Sequence, residues 1–103
     1  LALAEPPTAV FGDTDVLALG AGGAAREAGL DVPGDISVAG FDDIPGLQNF
    51  TPPLTTVNVP QDEMGRAAVE MLLERVRTGG DAESRVIHSK LVIRESCAHA
   101  KKK

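Results

Sequence analysis

The stretch VPGDISVAGFDD, from Val32 to Asp43, carries the clearest fold information in the chain. Pro33 and Gly34 have the chemistry of a turn, because proline fixes φ and glycine accepts backbone conformations that other residues avoid. The run that follows, Ile36 to Phe41, is apolar without strict alternation, which fits a strand covered on both faces as in a parallel sheet. It ends on Asp42 and Asp43. Ligands of open α/β sheets sit in the crevice outside the C-terminal strand ends, so these two carboxylates are the first candidates for a site.

Working outward toward the N-terminus, Thr8 to Phe11 reads as a short buried strand after Pro6 and Pro7, and Gly12-Asp13-Thr14-Asp15 as a loop closing on a helix cap at Asp15. A helical stretch runs from Val16, with Gly29 placed to end it in the left-handed conformation and Leu30 to pack back. Gly20, Gly22 and Gly23 weaken this helix by about 1 kcal/mol each relative to alanine. They therefore need close packing or a ligand to justify them.

Toward the C-terminus, IPGLQNF can make one helical turn, and TPPLTTV is a proline-rich connector into a short strand from Leu54 to Val57. Pro60 can open a helix in which Met64, Ala67, Ala68, Met71, Leu72 and Val76 share one face at spacings of three and four. Asp62 and Glu63 in its first turn, Arg75 and Arg77 in its last, and Gly79 and Gly80 beyond it suit the helix dipole and a glycine stop. Val86 to Arg94 alternates imperfectly and reads as an edge strand. The order strand, helix, strand, helix, strand predicts an α/β fold with a mainly parallel sheet and flanking helices.

The balance of 10 basic against 15 acidic residues gives a net charge of −5 over 103 residues. Such a surface repels phosphate backbones, and the only basic run is the tail Lys101 to Lys103, which a solvated terminus explains. DNA contact, if the protein makes any, falls to another segment. No apolar stretch of membrane-spanning length occurs, and the opening LALAEPP lacks the basic region of a secretory signal. With the single Cys97, these features point to a cytoplasmic protein. A first residue of leucine points to a chain cut from something longer.

Three chemical readings compete. GAGGAA, Gly20 to Ala25, fits the GxGxxA dinucleotide fingerprint with Asp42 at the distance of the ribose-binding acid, but Asp15 to Leu19 is too short for the strand that should precede it. Neither His88 nor His99 has a partner at metal-ligand spacing, and Ser96 lacks a base and an elbow motif. No catalytic residue, metal or cofactor is expected, and the chain is read as no enzyme. The third reading is sugar binding: a carboxylate in a crevice accepts two hydroxyl hydrogen bonds at once, and Asp42 is the candidate. Adjacent strand residues face opposite ways, so Asp43 is assigned a structural role capping the turn at Ile44 and Pro45.

In order and spacing, TDVLALGA, REAGLDVPGDISVAGFDDIP, TPPLTTV and MGRAAVEMLLERV resemble the C-terminal effector domain of the lactose-repressor (LacI/GalR) family of transcription regulators. The resemblance covers roughly Pro7 to Ser96. It implies a fragment of a type I periplasmic-binding-protein-like domain of two lobes, with residues 1–103 forming its C-terminal portion, and the first lobe and helix-turn-helix domain lying outside this chain. Thr8 to about Thr55 and the strand near Val86 to Arg94 would belong to the C-terminal lobe and the helix from Gln61 to Thr78 to the other.

The same resemblance implies ligand contacts from Asp42, Thr14 and Met64, and a homodimer interface that includes Leu19 and Phe50. Thr14 stands where many sugar-responsive members have asparagine, and Val59 where glutamine is frequent, which puts both polar contacts in doubt. The implied partners are a small-molecule effector, a sugar first of all, a second copy of the chain, and operator DNA bound through the N-terminal domain. A sugar receptor of a transport system shares the architecture and is the alternative function, with the dinucleotide enzyme behind it.

Overall fold

Helix α1 (Asp15–Glu27) starts where Thr14, extended at φ −135° and ψ 164°, accepts a 3.3 Å hydrogen bond from the Leu17 amide. The computed structural model, which describes residues 3–81 and 83–101, thus moves the cap from the expected Asp15 to Thr14. The reason is that the Asp15 carboxylate is taken elsewhere, by Thr56 and Ile44. At the other end Gly29 adopts φ 82°, and the Gly29 and Leu30 amides donate to the Arg26 and Ala25 carbonyls in a Schellman motif. The expected stop and its inward-packing leucine are both present.

The chain divides into two compact units, one formed by the residues up to Asn58 with those from Lys90 onward, the other by Val59–Ser89. In the first, β1 (Ala9–Phe11) pairs in parallel with β2 (Ser37–Ala39), Val10 opposite Val38. On its other side β2 continues into parallel bridges, Ala39 to Thr55 and, just past the strand, Asp42 to Asn58. β3 (Thr56–Asn58) then pairs antiparallel with β4 (Lys90–Val92). The arrangement is the expected mainly parallel one, with β4 reversed at an edge.

Two expectations for strands need correction. β4 covers three residues rather than Val86 to Arg94, because only Lys90–Val92 finds a hydrogen-bonding partner in β3. β1 is not a buried strand: Ala9 and Phe11 are exposed and Val10 only half-buried, since only one face of β1 packs on the core. β2 is shorter than the apolar run Ile36 to Phe41 but buried as that run predicts, with Ile36, Ser37 and Val38 all inaccessible or nearly so.

The core of this unit joins Ala18 and Ala25 of α1 to Val32, Ile36, Val38, Leu47 and Leu54. Leu47 opens a single 3-10 turn (Leu47–Asn49), the helical turn read from IPGLQNF. The glycines matter at two places. A Cβ on Gly12 would lie 2.5 Å from the Ala18 amide nitrogen, and one on Gly40 2.4 Å from Asp15 Oδ1, so both let α1 lie against the sheet. Among the described residues nothing within 4 Å would meet a Cβ on Gly20, Gly22 or Gly23. Packing inside this chain does not explain those three.

The second unit is built on α2 (Gln61–Thr78), whose extent matches the predicted helix and which ends at Gly79 with φ 71°. Its apolar face carries Met64, Ala67, Ala68 and Met71, which with Val86 and Ile87 line a shallow groove of about 420 Å³. Only Ala67 of this helix is buried.

Candidate functional site

Because β1 and β2 run parallel, the loops that leave their C-terminal ends lie at the same end of the sheet, and they carry Thr14 and Asp42 respectively. The Asp15 amide donates to the Phe41 carbonyl at 3.0 Å and so joins the two loops. The GAGGAA segment lies wholly inside α1, which has already begun at Asp15. A dinucleotide fingerprint needs its first glycines in the turn before a helix, with the helix N-terminus facing the pyrophosphate. That reading is set aside.

The centre of the loop junction is Asp15, fully buried. Its Oδ1 accepts a 2.6 Å hydrogen bond from the Thr56 hydroxyl, and its Oδ2 a 2.8 Å bond from the Ile44 amide. One carboxylate thereby fixes α1, β3 and the loop after β2 to one another. The turn at Ile44 is capped from here, so the expected cap from Asp43 is incorrect.

Asp43 is nonetheless structural. Its Oδ2 accepts from the Asn58 side-chain amide at 2.9 Å and its Oδ1 from Arg94 Nη2 at 2.8 Å. Burial pushes the Asp43 carboxyl upward, but the hydrogen bonds from Asn58 and Arg94 and the arginine charge outweigh it and hold the group below its ordinary value of 3.8. The Arg94 Nη1 also donates to the Leu54 carbonyl at 2.9 Å, and its amide donates to Thr55 Oγ1 at 2.9 Å. Asp43, Asn58 and Arg94 thus form a closed cluster with its charges matched.

Asp42 is different. Its backbone is tied to β3, the amide donating to the Val57 carbonyl at 3.0 Å, but among the described residues its half-buried carboxylate accepts no hydrogen bond. Both acids have positive φ, 120° at Asp42 and 61° at Asp43. Such conformations are strained for residues with a Cβ and persist where the surroundings over-determine them, commonly at ligand sites. Asp42 is therefore a carboxylate on a fixed backbone and, among the described residues, without a hydrogen-bond partner. The Thr14 hydroxyl accepts from Leu17 and keeps its own proton available to donate.

Of the other sequence candidates, Met64 belongs to the second unit, on α2. Leu19 and Phe50 come together: with Gly22, Arg26, Thr51 and Pro52 they line a groove of about 210 Å³, and Arg26 donates to the Thr51 carbonyl. Among the described residues no cluster of His, Cys, Asp and Glu could hold a metal ion, and no helix is long and apolar enough to cross a membrane. Sequence reasoning missed Arg94, Asn58 and Thr56, whose only signal was position at strand ends.

A parallel strand pair with the Asp42 carboxylate beyond the C-terminal end of β2 has the architecture of α/β binding modules, and comparison with known proteins narrows it. The family model described as periplasmic binding protein-like domain matches residues 1–97. An HTH-type transcriptional repressor, PurR of Proteus mirabilis, is 50% identical over 95 residues, 91% of this chain and 28% of that protein. Among solved structures, a LacI family transcriptional regulator from Enterococcus faecium with bound ribose superposes with a TM-score of 0.86 at 31% identity, covering 95% of this chain and 37% of that one. The lac repressor dimer bound to operator and an anti-inducer gives 0.84 at 34% identity, covering 90% and 32%.

The chain belongs to the periplasmic binding protein-like domain family, as part of a LacI/GalR-type effector domain. It spans between about a quarter and two-fifths of the length of the relatives it matches.

Proposed function

We propose that this chain is the C-terminal portion of the effector domain of a cytoplasmic transcription regulator, in which Asp42 and Thr14 bind the hydroxyls of a small sugar. The observation that carries the reading is Asp42: a carboxylate at a C-terminal strand end, with its backbone fixed and its oxygens unpaired among the described residues. A carboxylate can accept two adjacent hydroxyls, and charge-assisted hydrogen bonds are roughly twice as strong as neutral ones. The ribose-bound regulator among the similar structures supports the sugar class.

The remaining parts follow from the same relatives. The rest of the first lobe, outside this chain, supplies the opposite side of the pocket. Leu19 and Phe50, gathered around one groove, form part of a homodimer interface; the operator-bound dimer among the similar structures supports this. Operator DNA is bound by a helix-turn-helix domain outside residues 1–103, which agrees with the acidic balance of this chain. Effector that prefers one arrangement of the lobes shifts the dimer toward it, and operator affinity moves by the same coupling energy.

The test is operator binding by the full-length regulator, followed by fluorescence anisotropy on DNA selected from a random pool. Titration with pentoses, hexoses and disaccharides should change operator affinity for at least one sugar, and Asp42→Ala should abolish that change while leaving sugar-free DNA binding intact. A response that persists in Asp42→Ala removes the residue from the site.

A further inference from the structure

The Asp43 cluster joins three segments that are far apart in sequence. Asn58 is the last residue of the first unit before the chain leaves it, and Arg94 follows β4, the strand on which the chain returns. Both donate to Asp43, and Arg94 ties the same carboxylate to the Leu54 carbonyl at the start of the outgoing segment. Asp43 and Arg94 are mostly buried, with side chains 15% and 17% exposed. One peptide away lies Asp42, at φ 120°, whose side chain makes no hydrogen bond among the described residues.

Consecutive residues at φ 120° and 61° are held only if each end of the dipeptide is anchored. The Asp42 amide is anchored on Val57, the Ile44 amide on Asp15, and the Asp43 side chain on Asn58 and Arg94. Removing the guanidinium deletes the charged member of this set. It also leaves the Leu54 carbonyl and one Asp43 oxygen without their donors.

We infer that Arg94 is a positioning residue for effector capture: it touches no ligand itself, and through Asp43 it fixes the direction of the Asp42 carboxylate and links it to both segments on which the chain crosses between its units. This rests on the assignment of Asp42 to the effector site. A bound sugar that pulls on Asp42 then pulls on the crossing segments through a single peptide and two hydrogen bonds.

The experiment uses the full-length regulator and two readouts. Amide hydrogen exchange by mass spectrometry, without ligand, should show Arg94→Met accelerating exchange in residues 42–44 and 55–58 with α1 unchanged, and Arg94→Lys giving an intermediate effect. Calorimetric titration with ribose and a disaccharide panel should show affinity reduced about tenfold or more by Arg94→Met, at temperatures where each variant is folded. Exchange unchanged at 42–44, or sugar affinity equal to wild type beside faster exchange, overturns the inference. If wild type binds no sugar, or Asp42→Ala binds as wild type does, the effector assignment fails instead, and the exchange result alone decides whether Arg94 holds the Asp42 backbone.

Discussion

The Thr56 hydroxyl donates to Asp15 Oδ1 across 2.6 Å, and both residues are inaccessible to solvent. A buried carboxylate is tolerable only when its oxygens are occupied, and the Ile44 amide occupies the other one. Thr56→Val removes one donor while keeping the shape. It should lower unfolding free energy by about 1–3 kcal/mol, measured by urea denaturation of the full-length regulator. Asp15→Ala, which strands the buried Thr56 hydroxyl and the half-buried Ile44 amide, should cost more than Thr56→Val; an equal or smaller loss would show that Asp15 is not the hub of the loop junction.

The close approach of α1 to the sheet gives a second prediction. A Cβ at residue 12 would lie within 2.8 Å of the Ala18 nitrogen, Cα and Cβ, so Gly12→Ala must displace helix backbone. Overpacking of this kind costs about 1–3 kcal/mol. A melting temperature unchanged by Gly12→Ala would mean that α1 does not sit against β1 as described.

Gly22 lies in the groove beside Leu19 and Phe50, and a Cβ there would meet nothing within 4 Å among the described residues. Gly22→Leu should therefore extend into the groove within a single chain, and the gain in helix propensity, somewhat below the about 0.8–1 kcal/mol of a glycine-to-alanine change, favours it. If the groove receives a second copy, the same substitution fills it. Sedimentation equilibrium should then show weakened dimers for Gly22→Leu and monomers for Leu19→Asp, with native circular dichroism for Gly22→Leu. Full dimerisation of both variants would place the interface elsewhere.

Asp43 should leave a mark on the acid limb of stability. Its carboxyl is held below 3.8 when folded by Asn58 and Arg94, so its contribution is fully present above the unfolded-state value and is lost as pH falls through the depressed folded value. Stability should be insensitive to this pair from neutral pH down to about 5 and fall below about 4. Asp43→Asn, which has no charge to lose, should flatten that limb in denaturant titrations taken at successive pH values. An identical acid limb in the variant would contradict the pairing with Arg94.

The parts of the fold legible in the sequence were those set by periodicity and by residues with a single local use. Gln61–Thr78 was read from its apolar spacing, the end of α1 from Gly29, and β2 from a largely apolar run. The errors came where a tertiary partner overrode local chemistry. Asp15 looks like a helix cap, and Thr56 and Ile44 claim it instead; Asp43 looks like the cap of its own turn, and Asn58 and Arg94 claim it. Phe11 looks buried because it is apolar, yet it is exposed. For the site, Asp42 was legible from its place at a strand end, but its positive φ and the cluster that holds it were not, because neither leaves a pattern in a single sequence.

The most direct test of the effector assignment is a thermal-shift screen of the full-length regulator against monosaccharides, disaccharides, sugar phosphates and purines, run in parallel on Asp42→Ala. Ligand at a hundredfold excess over its dissociation constant stabilises by about 2.7 kcal/mol, enough to read as a rise of several degrees. A rise with a sugar that disappears in Asp42→Ala is the predicted result; a rise of equal size in both proteins would contradict the account.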